Sequence, residues 1–241
     1  MLSACAIVPA FDAAATVGQV VRELRSWLDV PVIVVDDGSA DTTGDVARRA
    51  GAVVLRHPTN RGKGAALRTG LSEAARQGIP LAVTVDADGQ HPAESARSVL
   101  HGSEDPRALV LGVRDLVRDG APRSNRFGNG VSNFFISRLA RRPLRDTQCG
   151  LRRYPVEETL ALGSHADGYA FEGEVVLRAL ARGVPLVEVP VVVIYPAEDG
   201  RTHFHRVLDP TRIVATVVRT MFELHLKGPL GRAAGAKERR R

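Results

Sequence analysis

Two carboxylates, Asp86 and Asp88, follow an apolar run in the sequence, and Gly89 and Gln90 come directly after them. On a straight strand these side chains point to one side, about 6.6 Å apart. A hard divalent cation takes oxygen ligands at about 2.0–2.2 Å, so both can approach one ion only if the chain turns near Gly89. The pattern suits a Mg²⁺ or Mn²⁺ site for a diphosphate, with Gln90 as a further oxygen donor. The alternative is a polar loop that closes a strand.

A second acidic pair, Asp36 and Asp37, follows the β-branched run "VIVV" and precedes Gly38 and Ser39. A carboxylate at a strand end can accept a hydrogen bond from a base or a ribose hydroxyl. The same residues can also form a turn that caps a helix beginning near Asp41. Both interpretations remain open from these residues alone.

A third motif, "NRGKGAA", places two glycines around Lys63 at the start of an amphipathic segment. Backbone amides and one lysine at a helix start can hold a phosphate. The motif is neither a P-loop nor a dinucleotide fingerprint, because the spacing of its glycines differs from both. A plain glycine-rich helix start is the alternative.

Apolar periodicity gives the elements that must position these motifs. The predicted strands span 3–11, 30–39, 52–57, 80–89, 107–115 and 184–195. The predicted helices span 15–28, 41–50, 62–78, 124–140, 168–183 and 209–226, and a loop over 145–155 enters a further strand. This alternation predicts an α/β fold, a Rossmann-like, mostly parallel sheet with helices on both faces. Pro190 cannot donate to a ladder, which places the last strand near an edge.

The motifs follow the carboxyl ends of the first four strands. In open α/β sheets, ligands bind beyond those ends. We therefore expect Asp37, Lys63, Asp86 and Asp88 to meet at one rim of the sheet.

The charge is unevenly distributed. The net charge is +6, and the segment 227–241 carries +5 of it, so the remaining chain is nearly neutral. This argues against a nucleic-acid-binding domain and leaves the tail as either a contact for anionic lipid or a solubilising end. Two cysteines make no disulfide framework, and no apolar run has the ~18–20 residues that span a bilayer, so we expect a cytoplasmic protein, peripheral on the membrane if the tail binds lipid.

Five motifs in this order resemble glycosyltransferase family 2, and within it the dolichyl/polyprenyl-phosphate sugar transferases. They are "IVPAFDAAATV", "VIVVDDGSADTT", "HPTNRGKGAALRTGL", "VTVDADGQHP" and "DTQCGLRRY". The resemblance covers roughly residues 4–206. It implies a GT-A fold over 1–206, followed by a C-terminal helix and basic tail over 207–241.

The resemblance also implies site residues. A divalent metal, Mg²⁺ or Mn²⁺, would bind Asp86, Asp88 and Gln90. The GDP- or UDP-linked sugar donor would contact Pro9, Phe11, Val35, Asp37, Lys63, Asp86, Ala87, Asp88 and Gln90. The phosphate of the acceptor would face Arg114, Arg126, Arg201 and His203. Among these residues, we expect Asp88 and Arg114 to be catalytic, together with Asp146.

Two positions depart from the family pattern. Ala13 stands where the family often has a glutamate, which removes one possible nucleoside contact. The late basic loop of the family is represented by "EDGRTHFHR", in which the register of the basic residues differs.

These observations predict a metal-dependent transfer of a sugar to a polyprenyl phosphate. Such an acceptor is mostly dianionic at neutral pH and needs no strong base, since its second pKa is about 6. An alcohol acceptor on the same fold would need a carboxylate base, for which the candidates are Asp146, Asp167, Glu172 and Glu174. A nucleotidyltransferase and a binding module with a degraded site are weaker alternatives. The last helix is either interfacial or packed on the domain.

Overall fold

The computed structural model describes residues 3–116, 143–168 and 170–194, together with 129–130, 133–134, 136–138, 215–216, 218–220 and 222–224. The strands are β1 (Ala4–Ala10), β2 (Val32–Asp36), β3 (Val53–Arg56), β4 (Leu81–Thr84), β5 (Leu109–Arg114), β6 (Arg152–Pro155) and β7 (Leu186–Val191). The helices that lie wholly within the described ranges are α1 (Val17–Leu28), α2 (Thr43–Arg49), α3 (Lys63–Arg76), α4 (Ala93–Leu100), α5 (Val156–Ala161) and α6 (Ala170–Ala181).

The seven strands form one sheet in the order β3-β2-β1-β4-β6-β5-β7. Strands β1 to β4 pair in parallel, and β7 pairs in parallel with β5. Strand β6 runs antiparallel between β4 and β5. The prediction of a mostly parallel sheet is confirmed, and among the described strands β7 lies at the edge, as Pro190 indicated.

Helices cover both faces of the sheet. On one face, α3 and α6 bury a core that contains Ile7, Ile33 and Phe171. On the other face, α1 and α4 bury a second core, with Val21 and Val83 among its members. Buried β-branched residues fill β2 because apolar layers lie on both sides of it.

Two helices were missed in the sequence. Helix α4 begins after Pro92 and has eight residues, and α5 begins directly at the end of β6 and has six. Both are too short to give a clear helical period. Strand β4 also ends at Thr84, so Asp86 and Asp88 lie in the turn after the strand and not on it.

The predicted last helix is partly described. Residues 215–216, 218–220 and 222–224 are helical, Leu224 packs against the α3–α6 core, and Glu223 pairs with Arg178 at 2.8 Å. Val218 and Phe222, one turn apart, are exposed. One side of this segment is therefore docked while the other presents apolar side chains. Within the described residues, no helix is both long and apolar enough to cross a membrane.

Candidate active site

Lys63, the first residue of α3, lies between two carboxylates at the carboxyl end of the sheet. Its Nζ is 2.6 Å from Asp86 Oδ1 and 2.9 Å from Glu172 Oε1. Gly150 packs against this group so closely that a Cβ there would lie 2.6 Å from the lysine nitrogen. Burial alone would raise the pKa of Asp86, but the Lys63 ammonium, helped by the Arg114 guanidinium, holds it below its usual value.

Asp88 faces outward from the same turn and is exposed. Its Oδ1 accepts a hydrogen bond from the backbone N–H of Gln90 at 2.9 Å. Partial desolvation by the surrounding protein and repulsion by the negative charge of Asp86 together raise the pKa of Asp88 to about 6. Two carboxylates that resist joint ionisation would be stabilised by a cation between them.

The residues present fit a divalent cation of the Mg²⁺ type. Such ions bind one or two carboxylates and take their remaining ligands from substrate phosphates and water. In the described part of the chain, no three or more His, Cys, Asp or Glu side chains form a closed metal cage. Asp86, Asp88 and Gln90 would thus make an open site that a diphosphate completes.

His91 belongs to this site, although the sequence analysis did not single it out. The side chain is buried, and its Nδ1 has no hydrogen-bond partner among the described atoms. Burial lowers the pKa of His91 to about 4 against the opposing effect of Asp86, so the imidazole is neutral at physiological pH. Its place directly after Gln90 was the only signal in the sequence.

Arg114, the last residue of β5, is held by Asp146. Its Nε donates to Asp146 Oδ2 at 2.6 Å and its Nη2 donates to Oδ1 at 3.0 Å. Asn129 Nδ2 and the backbone N–H of Gln148 also donate to Oδ1. Burial would raise the pKa of Asp146, but Arg114 and these hydrogen bonds hold it below its usual value.

This arrangement favours a positioning role for Asp146 over the catalytic role that we expected. The carboxylate is fully buried and accepts hydrogen bonds from the backbone and guanidinium of Arg114, from Asn129 and from the backbone of Gln148. These bonds make it a poor proton acceptor. It positions the Arg114 guanidinium, which remains partly exposed at the rim.

Two residues expected at the nucleoside lie inside the protein. Val35 has no exposed surface and belongs to the α3–α6 core, so its side chain lines no pocket. Asp37 is buried, and its carboxylate accepts from His57 Nδ1 at 2.6 Å and from the backbone N–H groups of Arg61 and Gly62. The loop that leads to Lys63 is thereby fastened to the end of β2.

The other expected donor contacts lie near the same end of the sheet. Pro9 and Phe11, at the end of β1, are half-buried. Ala87 is buried between the two carboxylates, and its carbonyl accepts from Thr16 Oγ1 at 2.6 Å. Arg126, Arg201 and His203 lie outside the described residues.

Cys149 is buried in the loop before β6, and burial raises the pKa of its thiol to about 12. A thiolate nucleophile is therefore not available at this position. Cys5 and Cys149 are both free thiols.

The comparison with known proteins decides the family. A model of glycosyl transferase family 2 matches residues 5–156, which include every described site residue except Glu172.

The chain belongs to glycosyltransferase family 2.

Two relatives of this glycosyltransferase are named for transfer to a polyprenol or dolichyl phosphate. The polyprenol monophosphomannose synthase of Mycolicibacterium smegmatis is 29% identical over 227 residues, covering 86% of this chain and 80% of the relative. The UDP-N-acetylglucosamine–dolichyl-phosphate N-acetylglucosaminyltransferase of Methanococcus voltae is 27% identical over 214 residues, covering 78% and 84%. Transfer to lipid phosphates is thus found among the relatives of this chain.

A solved structure confirms the GT-A type of fold. The glucosyl-3-phosphoglycerate synthase of Mycobacterium tuberculosis, in complex with Mn²⁺, UDP-glucose and phosphoglyceric acid, superposes with a TM-score of 0.69 at 20% identity. The match covers 90% of this chain and 79% of that one. A divalent metal and a nucleotide sugar therefore bind together in a glycosyltransferase with this architecture.

Proposed function

We propose that this enzyme transfers a sugar from a nucleotide-sugar donor to a polyprenyl phosphate in a metal-dependent reaction. The donor diphosphate would lie against Asp86, Asp88 and Gln90, near the Lys63 ammonium. When bound, Mg²⁺ or Mn²⁺ would neutralise the charge that develops on the leaving nucleoside diphosphate. Arg114 would orient the acceptor phosphate for attack on the anomeric carbon.

One observation carries the choice of acceptor: each of the four carboxylates that could serve as a base is already engaged. Asp146 holds Arg114, and Glu172 pairs with Lys63. Asp167 pairs with Arg68, and Glu174 pairs with Arg178 while accepting two backbone N–H groups. An alcohol acceptor needs a base, whereas a phosphate monoester is mostly dianionic at neutral pH. Transfer to a phosphate would need none of these carboxylates to leave its partner, which supports a phosphate acceptor.

Apolar side chains beside the site support an acceptor with a hydrocarbon chain. The backbone N–H of Ile194 donates to the carbonyl of Gln90 at 2.9 Å, so this segment runs along the candidate metal site. Val192 is 53% exposed and Ile194 is 58% exposed. An isoprenoid chain leaving the acceptor phosphate could cover these side chains.

Association with a membrane surface is part of the proposal. The basic segment 227–241 and the exposed side chains of Val218 and Phe222 suit a contact with anionic lipid on the cytoplasmic face. The two exposed side chains come shortly before the basic segment in the sequence.

The test is product formation on a polyprenyl phosphate. GDP-mannose, UDP-glucose and UDP-N-acetylglucosamine are offered separately, each with Mn²⁺ or with EDTA, and lipid-linked sugar is measured. We expect one donor to give a product that EDTA abolishes. Transfer that persists in EDTA, or hydrolysis of a donor with no lipid product under any condition, would contradict the proposal.

A further inference from the structure

Two adjacent arginines of β6, Arg152 and Arg153, are among the largest fully buried side chains in the described part of the protein. Successive side chains on a strand point to opposite faces, so these two guanidinium groups enter different layers. A buried charge is costly unless hydrogen bonds satisfy it. Hydrogen bonds to the surrounding protein must therefore satisfy each guanidinium group.

Arg152 is satisfied by backbone carbonyls on two segments. Its Nη2 donates to the carbonyl of Thr147 and its Nε donates to that of Cys149, both at 2.7 Å. Its Nη1 donates to the carbonyl of Glu172 in α6, also at 2.7 Å. Hydrogen bonds from a charged donor are stronger than neutral ones, and the planar guanidinium fixes their directions. Arg152 thus clamps the 146–150 loop to the start of α6.

The 146–150 loop contacts both halves of the candidate site. At its beginning, Asp146 holds the Arg114 guanidinium. At its end, Gly150 packs against the pair formed by Asp86 and Lys63. Thr84 Oγ1 donates to the carbonyl of Gly150 at 2.7 Å and fixes this end from the last residue of β4.

We propose that Arg152, together with Thr84, is a positioning residue of the active site. By fixing the backbone of the 146–150 loop, it sets the distance between the Arg114 guanidinium and the Asp86–Lys63 pair. Neither residue touches substrate, and both act through the loop. The importance of this spacing for turnover rests on the proposed function, but the clamp itself does not.

Arg153 offers a matched control. It is equally buried, and it also donates only to backbone carbonyls, those of Leu100, Ser103, Asp105 and Ala108. These carbonyls belong to the last residue of α4 and to the segment between α4 and β5, at the other end of the strands from the site. Replacement of Arg153 should cost stability without moving the 146–150 loop.

The experiment compares Arg152→Lys with Arg153→Lys in the full chain. A lysine keeps the positive charge but lacks the planar set of N–H donors with which a guanidinium reaches three carbonyls at once. We expect both variants to melt at lower temperature. Only Arg152→Lys should show faster amide exchange over 146–150, about tenfold weaker binding of Mn²⁺ alone by EPR, and about 100-fold lower kcat.

Thr84→Val is the second variant, and it tests the role of the 146–150 loop if Arg152→Lys does not fold. Loss of the hydroxyl should speed exchange at Gly150 and weaken Mn²⁺ binding in the same direction. The proposal is overturned if exchange over 146–150 and Mn²⁺ affinity are unchanged in the folded variants, or change equally in Arg153→Lys. If the wild-type enzyme transfers no sugar, the proposed function fails while exchange and Mn²⁺ binding still test the clamp.

Discussion

At the scale of single residues, Asp86 and Asp88 differ in their surroundings although they lie two positions apart. Asp86 is neutralised by Lys63, whereas Asp88 faces outward with a pKa raised to about 6. Asp88 is therefore the carboxylate whose charge a bound cation would most relieve. The sequence predicted both acids but could not distinguish them, because Lys63 and Glu172 reach Asp86 from distant parts of the chain.

The pKa of Asp88 predicts how metal affinity depends on pH. A carboxylate binds the cation only when it is deprotonated, so the affinity for Mn²⁺ should rise as the pH increases through about 6 and fall as Asp88 is protonated below it. EPR titration of free Mn²⁺ between pH 5 and 7.5 measures this. Asp88→Asn should bind Mn²⁺ weakly and show no such midpoint.

A matched control for this titration is Asp29→Asn. Asp29 is exposed at the C-terminal end of α1, which precedes the start of β2 and so lies away from the site. This variant should retain the wild-type midpoint. A midpoint that survives in Asp88→Asn would assign the titration to another group.

The Arg114–Asp146 contact predicts a coupled loss of activity. Asp146→Asn removes the charge that orients the guanidinium, and a misplacement of about 1 Å at a reacting group can lower kcat about 100-fold. Because both residues act as one unit, Arg114→Lys and Asp146→Asn should not add in the double variant. A kinetic double-mutant cycle measures this.

The pH dependence of kcat separates positioning from base catalysis in that cycle. If Asp146 only positions Arg114, Asp146→Asn should keep the shape of the wild-type profile at a lower rate. Loss of the acidic limb of the profile would make Asp146 a base and contradict the positioning role.

At the scale of elements, the loop after β2 and the loop after β3 are fastened together. The Asp37 carboxylate accepts from His57 and from the backbone of Arg61 and Gly62. Gly38 adopts a positive φ of 77° and packs against the backbone of Asn60. Since α3 begins at Lys63, directly after Gly62, this contact fixes the position of Lys63 in the site.

Gly38→Ala should therefore destabilise the protein more than Gly78→Ala. Both glycines have positive φ, which costs a residue with a Cβ about 1–2 kcal/mol. A Cβ at Gly38 would lie 2.6 Å from Asn60 N, whereas nothing lies within 4 Å of one at Gly78. Over-packing should add about 1–3 kcal/mol to the loss in the free energy of unfolding at Gly38. Denaturant titration measures both, and equal losses would mean that the two loops are not in fixed contact.

The elements that the sequence predicted are those with long apolar patterns. The buried run of β2 and the periodic α1 and α3 were recognised because each pattern extends over a full element. The antiparallel course of β6 was not predicted, since Arg152 and Arg153 make it polar and its direction depends on pairing with distant strands. Val35 belongs to this buried run, and the nucleoside contact expected of its side chain came from the family resemblance and not from the strand pattern.

At the scale of the whole molecule, the charge is concentrated at the C-terminal end of the chain. Reversing the charges of Lys237, Arg239, Arg240 and Arg241 should weaken binding to vesicles of anionic lipid by about 1 kcal/mol per basic residue removed. Co-sedimentation with vesicles measures this. Reversal at four exposed arginines elsewhere, Arg22, Arg49, Arg97 and Arg107, is the control and should have a smaller effect. Equal effects would assign vesicle binding to overall charge.

The most direct test of the central claim is a comparison of two acceptors that differ only in the phosphate. Polyprenyl phosphate and the corresponding polyprenol are offered with the productive donor and Mn²⁺, and lipid-linked sugar is measured. Because the four candidate bases are engaged, we predict transfer to the phosphate and none to the alcohol. Transfer to the alcohol at a comparable rate would contradict the account and would require one of these carboxylates to leave its partner during turnover.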